Sequence, residues 1–185
     1  IAELAIKNNF QMCVHAIGDR GNFEVLNLYA EIFSEHPGQK DLRWRIEHAQ
    51  LVTEPDIKRF AKLGVIAAMQ AIHCTSDATF VPARIGDARA KEESYAWRRF
   101  IDAGVVICNG TDAPVEDVDP IKCFYAAVTR KLADGSVFYP EQKMSRKEAL
   151  KSYTINGAFA AFEENIKGSL KPGKLADIVV LSNDL

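Results

Sequence analysis

Hydrophobic residues along the chain gather in four short runs, and a stretch with helical periodicity follows each of them. Each run is nearly continuous in apolar character, as parallel strands covered on both faces tend to be. Polar residues collect at the C-terminal ends of the runs. The runs are residues 11–16, 43–49, 65–70 and 105–110. The pattern predicts a repeated βα unit with a parallel sheet.

Apolar residues recur at helical spacing in the stretches that separate or follow these runs. The predicted helices are residues 22–35, 54–63, 93–103, 120–131 and 145–162. Gly64 and Gly104 follow the second and third, where a left-handed C-terminal cap is favoured. Ser145 and Glu148 have the spacing of a capping box at the start of the last one. Residues 1–8 resemble the tail of an amphipathic helix, so we expect the chain to begin within a domain.

Alternating strands and helices form either an open doubly wound sheet or a (βα)8 barrel. Residues 15–21 lack the GxGxxG fingerprint that an open dinucleotide-binding sheet carries. His48 follows His15 by 33 positions, and Asp112 follows His48 by 64. A barrel gives about 30 residues to each unit. The three side chains therefore fall at equivalent heights on strands n, n+1 and n+3, which favours a TIM barrel with a site at its C-terminal face.

Two histidines and an aspartate at the mouth of a barrel suit a divalent metal ion, most simply zinc. Such an ion activates water, and Asp112 is the candidate to accept the proton and return it to the leaving group. Each residue alone has a structural interpretation. An isolated histidine at a strand end is more often structural, and Asp112 lies in a turn-forming sequence, residues 110–114.

Several ordered motifs resemble those of the amidohydrolase superfamily, and of its YtcJ-like family (amidohydrolase family 3) in particular. Four of them are similar to the segments that follow strands five to eight of that barrel, and a fifth to the return into a β-sandwich domain. In this chain they are HAIGDR at 15–20, RIEHAQ at 45–50, QAIHCTSD at 70–77, GTDAPV at 110–115 and KGSLKPGKLAD at 167–177.

The resemblance implies an α/β chain that is the C-terminal half of a (βα)8 TIM barrel. Residues 1–166 would be this half-barrel, and residues 167–185 would begin a small β-sandwich domain. The family binds one or two divalent ions, usually zinc. By that resemblance His15 and His48 are metal ligands, and Asp112 is a ligand or the catalytic acid and base.

His73 and Arg20 are the candidates for substrate binding, although a local loop role and a structural salt bridge remain open alternatives. The family also supplies a His-x-His pair and a fourth-strand anionic ligand. This chain contains no His-x-His, and its remaining histidine, His36, lies in a turn where we expect a solvated surface residue.

Three hypotheses for function follow. The first is hydrolysis of the C–N bond of a small amide or formamide-like substrate by the full-length protein. The second is ester hydrolysis or deamination on the same barrel, which the fold does not discriminate. The third is a noncatalytic half-barrel that binds metal weakly, self-associates as a homo-oligomer, or pairs with an N-terminal half.

Composition narrows the partners. The chain has 23 basic and 25 acidic residues and no basic run, so neither nucleic acid nor a membrane surface is indicated. Its longest apolar stretches are far shorter than the roughly 20 residues that span a bilayer. Its four cysteines are widely separated and form no CxxC pair, which favours reduced thiols and a cytoplasmic protein.

Overall fold

The four predicted strands form one parallel sheet in the computed structural model, which describes residues 1–185. The strands lie side by side in chain order, so β1 and β4 are the edges. The register is continuous, with Val14 opposite Ile46, Ile46 opposite Ala67, and Ala67 opposite Ile107. The strands are β1 (Cys13–Ala16), β2 (Arg45–His48), β3 (Ile66–Met69) and β4 (Ile107–Asn109). The predicted α/β class with a parallel sheet is confirmed.

Ten α-helices and one 3₁₀ turn accompany the sheet. The helices are α1 (Ala2–Lys7), α2 (Asp19–Glu35), α3 (Glu54–Leu63), α4 (Ala71–Asp77), α5 (Val81–Ile85), α6 (Asp87–Glu93), α7 (Trp97–Asp102), α8 (Pro120–Thr129), α9 (Arg146–Tyr153) and α10 (Ile155–Ala160). None of them is long and apolar enough to cross a bilayer.

The local signals for helix ends are confirmed. Gly64 ends α3 with a φ of 66°, in the left-handed region that glycine adopts without a steric penalty. Ser145 and Glu148 form the capping box before α9, each side chain accepting the backbone N–H of the other. These two features fix where the helices begin or end relative to the strands.

The helix predicted over 54–63 has these bounds in the structure, whereas α2 begins three residues before residue 22 and α8 ends two residues before residue 131. Two further predicted helices depart more. The helix predicted over residues 145–162 is divided at Thr154, whose φ of −125° and ψ of −95° interrupt the helical backbone. The helix predicted over 93–103 begins at Trp97, because Tyr95 adopts a φ of 48° and separates α6 from α7. The sequence predicts no helix between residues 70 and 93, whereas the structure has α4, α5 and α6 in this connection.

The core lies between one face of the sheet and the helices. Ile46, Ala67 and Ile107 point to this side and are at most 2% exposed. Phe60 of α3 and Phe100 of α7 cover the sheet with ring centroids 5.2 Å apart. Burial of this apolar surface is the main stabilising contribution to the fold.

The opposite face of the sheet is open. Arg45 and Glu47 of β2 lie on it as an ion pair, with Nε 2.9 Å from Oε1 and side chains 25% and 30% exposed. Cys13 and His15 of β1 are exposed on the same side. From the apolar runs we expected strands that are covered on both faces. In this chain, helices cover only one face of the sheet.

The C-terminal segment is the other departure from expectation. Residues 176–181, an apolar run within the segment expected to begin a β-sandwich domain and interpreted as one of its strands, form no strand here and pair with none of β1 to β4. Its apolar side chains are largely exposed, including Val179 at 80% and Val180 at 91%. The assignment of residues 167–185 to a separate β-sandwich domain stays a prediction.

Candidate metal centre

The polar residues singled out in the sequence lie at the C-terminal ends of the strands. His15 is in β1, His48 is the last residue of β2, and Asp112 follows β4 by three positions. The imidazole rings of His15 and His48 meet edge to face, with centroids 4.5 Å apart and an interplanar angle of 70°. Carboxyl ends of parallel strands share one edge of a sheet, which brings these side chains together.

The backbone is left-handed at two of these positions. His48 has a φ of 77° and Asp112 a φ of 59°. Simple alternation along β2 would put His48 on the face opposite Glu47, which is the register partner of His15. The ring of His48 nevertheless contacts that of His15, because the left-handed turn at the strand end redirects the side chain. This conformation costs about 1–2 kcal/mol at His48 and less at Asp112, because aspartate adopts the left-handed region more readily.

Gln70 orients His48. Its Oε1 lies 2.8 Å from Nδ1 of His48, and its Nε2 lies 3.4 Å from the carbonyl oxygen of Ala68. The carbonyl can only accept a hydrogen bond, so the amide NH₂ points to Ala68 and the amide oxygen to His48. That oxygen requires a proton on Nδ1 and leaves the lone pair on Nε2, the tautomer that a metal ligand needs.

His73 joins this site from the first turn of α4. Its side chain is 8% exposed and lies between two carboxylates, with Nε2 3.2 Å from Oδ2 of Asp112 and Nδ1 3.2 Å from Oε1 of Glu116. The ring centroids of His48 and His73 are 6.1 Å apart. His48, His73 and Asp112 each offer a ligand atom within 4.8 Å of the other two.

This donor set fits a divalent metal ion. Two imidazoles and a carboxylate are ligands that zinc accepts. Two donors about 2.1 Å from a tetrahedral ion lie about 3.4 Å apart, close to the 3.2 Å between His73 and Asp112. His15 lies against His48 but is not one of this group of three.

Arg20 lies apart from these residues. It forms an ion pair with Glu24 one helical turn along α2, and its side chain is 80% exposed. Its neighbour Asp19 is bound to Arg89, with Oδ2 2.6 Å from Nη2. The contacts of Arg20 are therefore those of a structural salt bridge. A role of Arg20 in substrate binding stays a prediction.

His36, expected to be a solvated surface residue, is partly exposed and has one side-chain partner. Its side chain is 26% exposed, and Nε2 lies 2.9 Å from Oε1 of Glu3. Hydrogen bonds from Lys7 and His36 lower the pKa of Glu3 to about 2. With Glu35 these residues form a second, partly exposed group that is separate from the strand ends.

Sequence reasoning missed Gln70 and Glu116 as parts of the site. Gln70 is the first residue of the motif QAIHCTSD at 70–77, and Glu116 directly follows the motif GTDAPV at 110–115. Neither residue type signals metal chemistry by itself. The one usable signal was position, because both residues closely follow a strand whose C-terminal end faces the site.

Comparison with known proteins shows the family. The sequence model of the Amidohydrolase family matches residues 1–185. Protein LONG AFTER FAR-RED 3 of Arabidopsis thaliana is 36% identical over 97% of this chain and 31% of its own length. Putative amidohydrolase YtcJ of Bacillus subtilis is 32% identical over 97% of the chain and 34% of its own length. N-substituted formamide deformylase of Arthrobacter pascens is 28% identical over 100% of the chain and 34% of its own length.

A solved structure has the same arrangement of elements. A metal-dependent hydrolase from Pyrococcus furiosus superposes with a TM-score of 0.79 and 30% sequence identity, over 95% of this chain and 34% of that one. The chain thus spans about a third of the length of the relatives it matches. It belongs to the amidohydrolase family, as a YtcJ-like member of amidohydrolase family 3.

Proposed function

We propose that the protein carrying this chain is a metal-dependent hydrolase that cleaves the C–N bond of a small amide or formamide-like substrate with activated water. The observation that supports this most directly is the convergence of His48, His73 and Asp112 at the strand ends. Family membership and the likeness to a metal-dependent hydrolase agree with it. The bond type is suggested by one relative, the N-substituted formamide deformylase.

The proposed architecture is the C-terminal half of a (βα)8 barrel, strands five to eight, over residues 1–166. In a closed barrel the open face of the sheet, with Cys13, His15, Arg45 and Glu47, would become the interior. The edges at β1 and β4 would pair with the strands of an N-terminal half. Residues 167–185 would then continue into a β-sandwich domain.

His15, His48 and Asp112 are the proposed metal ligands, with one or two ions, most simply zinc. When bound, such an ion would act as a Lewis acid and lower the pKa of a water molecule toward about 7. Gln70 keeps Nε2 of His48 available as a donor. A carboxylate oxygen of Asp112 takes the proton of the attacking water and returns it to the leaving nitrogen. His73 and Arg20 are proposed to contact the substrate.

A second candidate function is supported by the open sheet face. Half a barrel has two unpaired strand edges and half an interior in contact with solvent. Such a surface favours self-association or pairing with another segment without catalysis. The chain would then bind metal weakly and show no turnover.

Metal content and turnover distinguish the two. We would measure both, with a panel of N-formyl and N-acyl amines, on this chain and on a protein extended by strands one to four. Metal binding and hydrolysis by the extended protein support the first proposal. An extended protein without a divalent ion contradicts it, and one that binds metal without hydrolysing any C–N bond rejects the proposed reaction. Sedimentation of this chain as a stable dimer without turnover would favour the second candidate.

A further inference from the structure

Glu116 lies beside His73 and has no role in the reaction proposed above. Its Oε1 lies 3.2 Å from Nδ1 of His73, and its side chain is only 21% exposed. It has no arginine or lysine partner among the ion pairs of the chain, whereas the adjacent Asp117 is paired with Lys122. The carboxylate of Glu116 is therefore directed at the imidazole rather than neutralised by a cation.

The segment that carries Glu116 is anchored on both sides. On one side, the backbone N–H of Val115 donates to the carbonyl oxygen of Asp112 at 2.8 Å. On the other side, Asp119 caps α8 by accepting the N–H of Ile121 at 2.9 Å. The backbone on either side of Glu116 is thus held by hydrogen bonds, which places its side chain next to His73.

The two contacts of His73 constrain its tautomer. An ionised carboxylate only accepts hydrogen bonds, and a neutral imidazole has a single N–H. If that proton is on Nδ1 and is donated to Glu116, the lone pair of Nε2 faces Oδ2 of Asp112 across 3.2 Å. Two electron-rich atoms at this separation repel each other unless a cation or a proton lies between them. The arrangement is favourable when both atoms bind one metal ion.

We propose that Glu116 is a positioning residue that fixes the Nδ1-protonated tautomer of His73, so that His73 is a metal donor through Nε2 beside His48 and Asp112. This rests on the proposed metal centre and replaces the substrate contact proposed above for His73 with a metal-donor role, oriented by one carboxylate. Gln70 does the same for His48 from the neighbouring strand end. Both imidazoles of the group are then held by an acceptor at Nδ1, the usual arrangement of metal-ligating histidine.

The imidazole nitrogens can be observed directly, because the chain has four histidines. We would record two-bond ¹H–¹⁵N spectra of the ¹⁵N-labelled chain with and without Zn²⁺, and assign His73 from the signals lost in His73→Asn. With Zn²⁺, His73 should have a protonated Nδ1, and Nε2 should be the nitrogen whose shift responds to the metal. An unprotonated Nδ1, or an Nε2 that ignores Zn²⁺, overturns the proposal.

Variants separate positioning from folding. Glu116→Ala should weaken Zn²⁺ binding by about 10–100-fold, the effect of losing an orienting partner, and should allow the other tautomer of His73. Glu116→Gln retains an acceptor oxygen and should restore both the tautomer and most of the affinity. Asp117→Asn is the matched control, because it changes the adjacent carboxylate that binds Lys122. Equal affinities in Glu116→Ala and Asp117→Asn contradict the proposal, as does a Glu116→Gln protein that behaves like Glu116→Ala.

These measurements do not depend on turnover. If the extended protein binds Zn²⁺ but hydrolyses no amide, the proposed reaction is rejected. The role of Glu116 is then still decided by the ¹H–¹⁵N spectra of His73. If the wild-type chain shows no effect of Zn²⁺ on His73, the donor role fails whatever the reaction is.

Discussion

Nδ1 of His48 lies 2.8 Å from Oε1 of Gln70, so the last residue of β2 is oriented by the residue that follows β3. The orientation of the imidazole at the end of one strand thus depends on an amide at the end of the next. A parallel register of short strands makes this possible, because β2 and β3 end side by side.

Gln70→Leu should weaken divalent-metal binding by about 10–100-fold, because the substitution removes the acceptor that keeps the proton on Nδ1 of His48. Gln70→Glu retains an acceptor oxygen and should lose much less. Isothermal titration with Zn²⁺ measures the difference. Gln39→Leu, at an exposed loop position, is the control. Similar affinities for Gln70→Leu and Gln39→Leu would show that the amide does not orient the ligand.

His48→Ala should reduce metal occupancy, both in this chain and in a longer protein that contains it, because it removes a donor from the group at the strand ends. His36→Ala should not, since the ring of His36 binds Glu3 away from that group. Metal analysis after dialysis against a defined Zn²⁺ concentration compares the two. Equal losses would undermine the assignment of the centre to the strand ends.

Arg130 should be the arginine whose loss destabilises the fold most. It is fully buried, its Nη1 donates to the carbonyl oxygen of Tyr95 at 2.9 Å, and its guanidinium carbon lies 4.5 Å from the ring centre of Trp97. Nε donates to a second buried carbonyl, that of Phe138. Arg130→Met leaves the Phe138 carbonyl without a donor and removes one of the two donors to the Tyr95 carbonyl, which keeps the N–H of Trp97. Removal of the unpartnered Nη2 offsets part of this cost, so we expect a loss of about 1–2 kcal/mol in the free energy of unfolding.

Urea denaturation of the Arg130→Met protein measures this loss, with Arg20→Met as the exposed control. Arg20→Met should change the free energy of unfolding by less than about 0.5 kcal/mol. If the two substitutions destabilise the fold equally, the guanidinium of Arg130 does not have the bracing role that its contacts suggest.

One thiol should react far faster than the other three. Cys13 is exposed on the open face of the sheet, whereas Cys74 and Cys123 are fully buried. Burial raises the pKa of all four thiols, that of Cys74 to about 12 and that of Cys108 to about 11, so exposure is what distinguishes Cys13. Because the thiolate is the nucleophile, Cys74 and Cys108 should react slowly at pH 8 and faster as the pH rises toward those values.

Titration with a disulfide reagent such as DTNB at pH 8 should show one rapid equivalent, and Cys13→Ser should remove it. A rapid equivalent that survives in Cys13→Ser would mean that a second thiol is accessible, and that the sheet is less well packed than described. The same assay on an extended protein reports closure of a barrel, because Cys13 would then lie in its interior.

The strands and most helix ends were predictable, because burial on one side imposes a periodicity and capping is local chemistry. Ser145 with Glu148, and Gly64 after α3, needed no tertiary information. The break at Thr154 had no such signal. A β-branched residue is compatible with a helix, and α9 and α10 both pack on β4 on either side of the break, a tertiary arrangement that the local sequence does not specify.

The site was predictable to the extent that it follows from strand spacing. His15, His48 and Asp112 recur at intervals close to whole βα units, and the structure brings them to one edge of the sheet. The part supplied by α4 was harder. His73 lies in α4, in a connection where the sequence predicts no helix. Its second carboxylate partner, Glu116, lies in the segment between β4 and α8.

The left-handed backbone at His48 and Asp112 has an evolutionary consequence. Glycine relieves such strain at either position, and asparagine at 112 keeps the local geometry without the negative charge. A population of sequences selected for folding alone should therefore drift to these residues, becoming more stable as it loses the capacity to bind metal. Among relatives of this chain, glycine or asparagine at these two positions would mark lineages in which the proposed metal chemistry is no longer under selection.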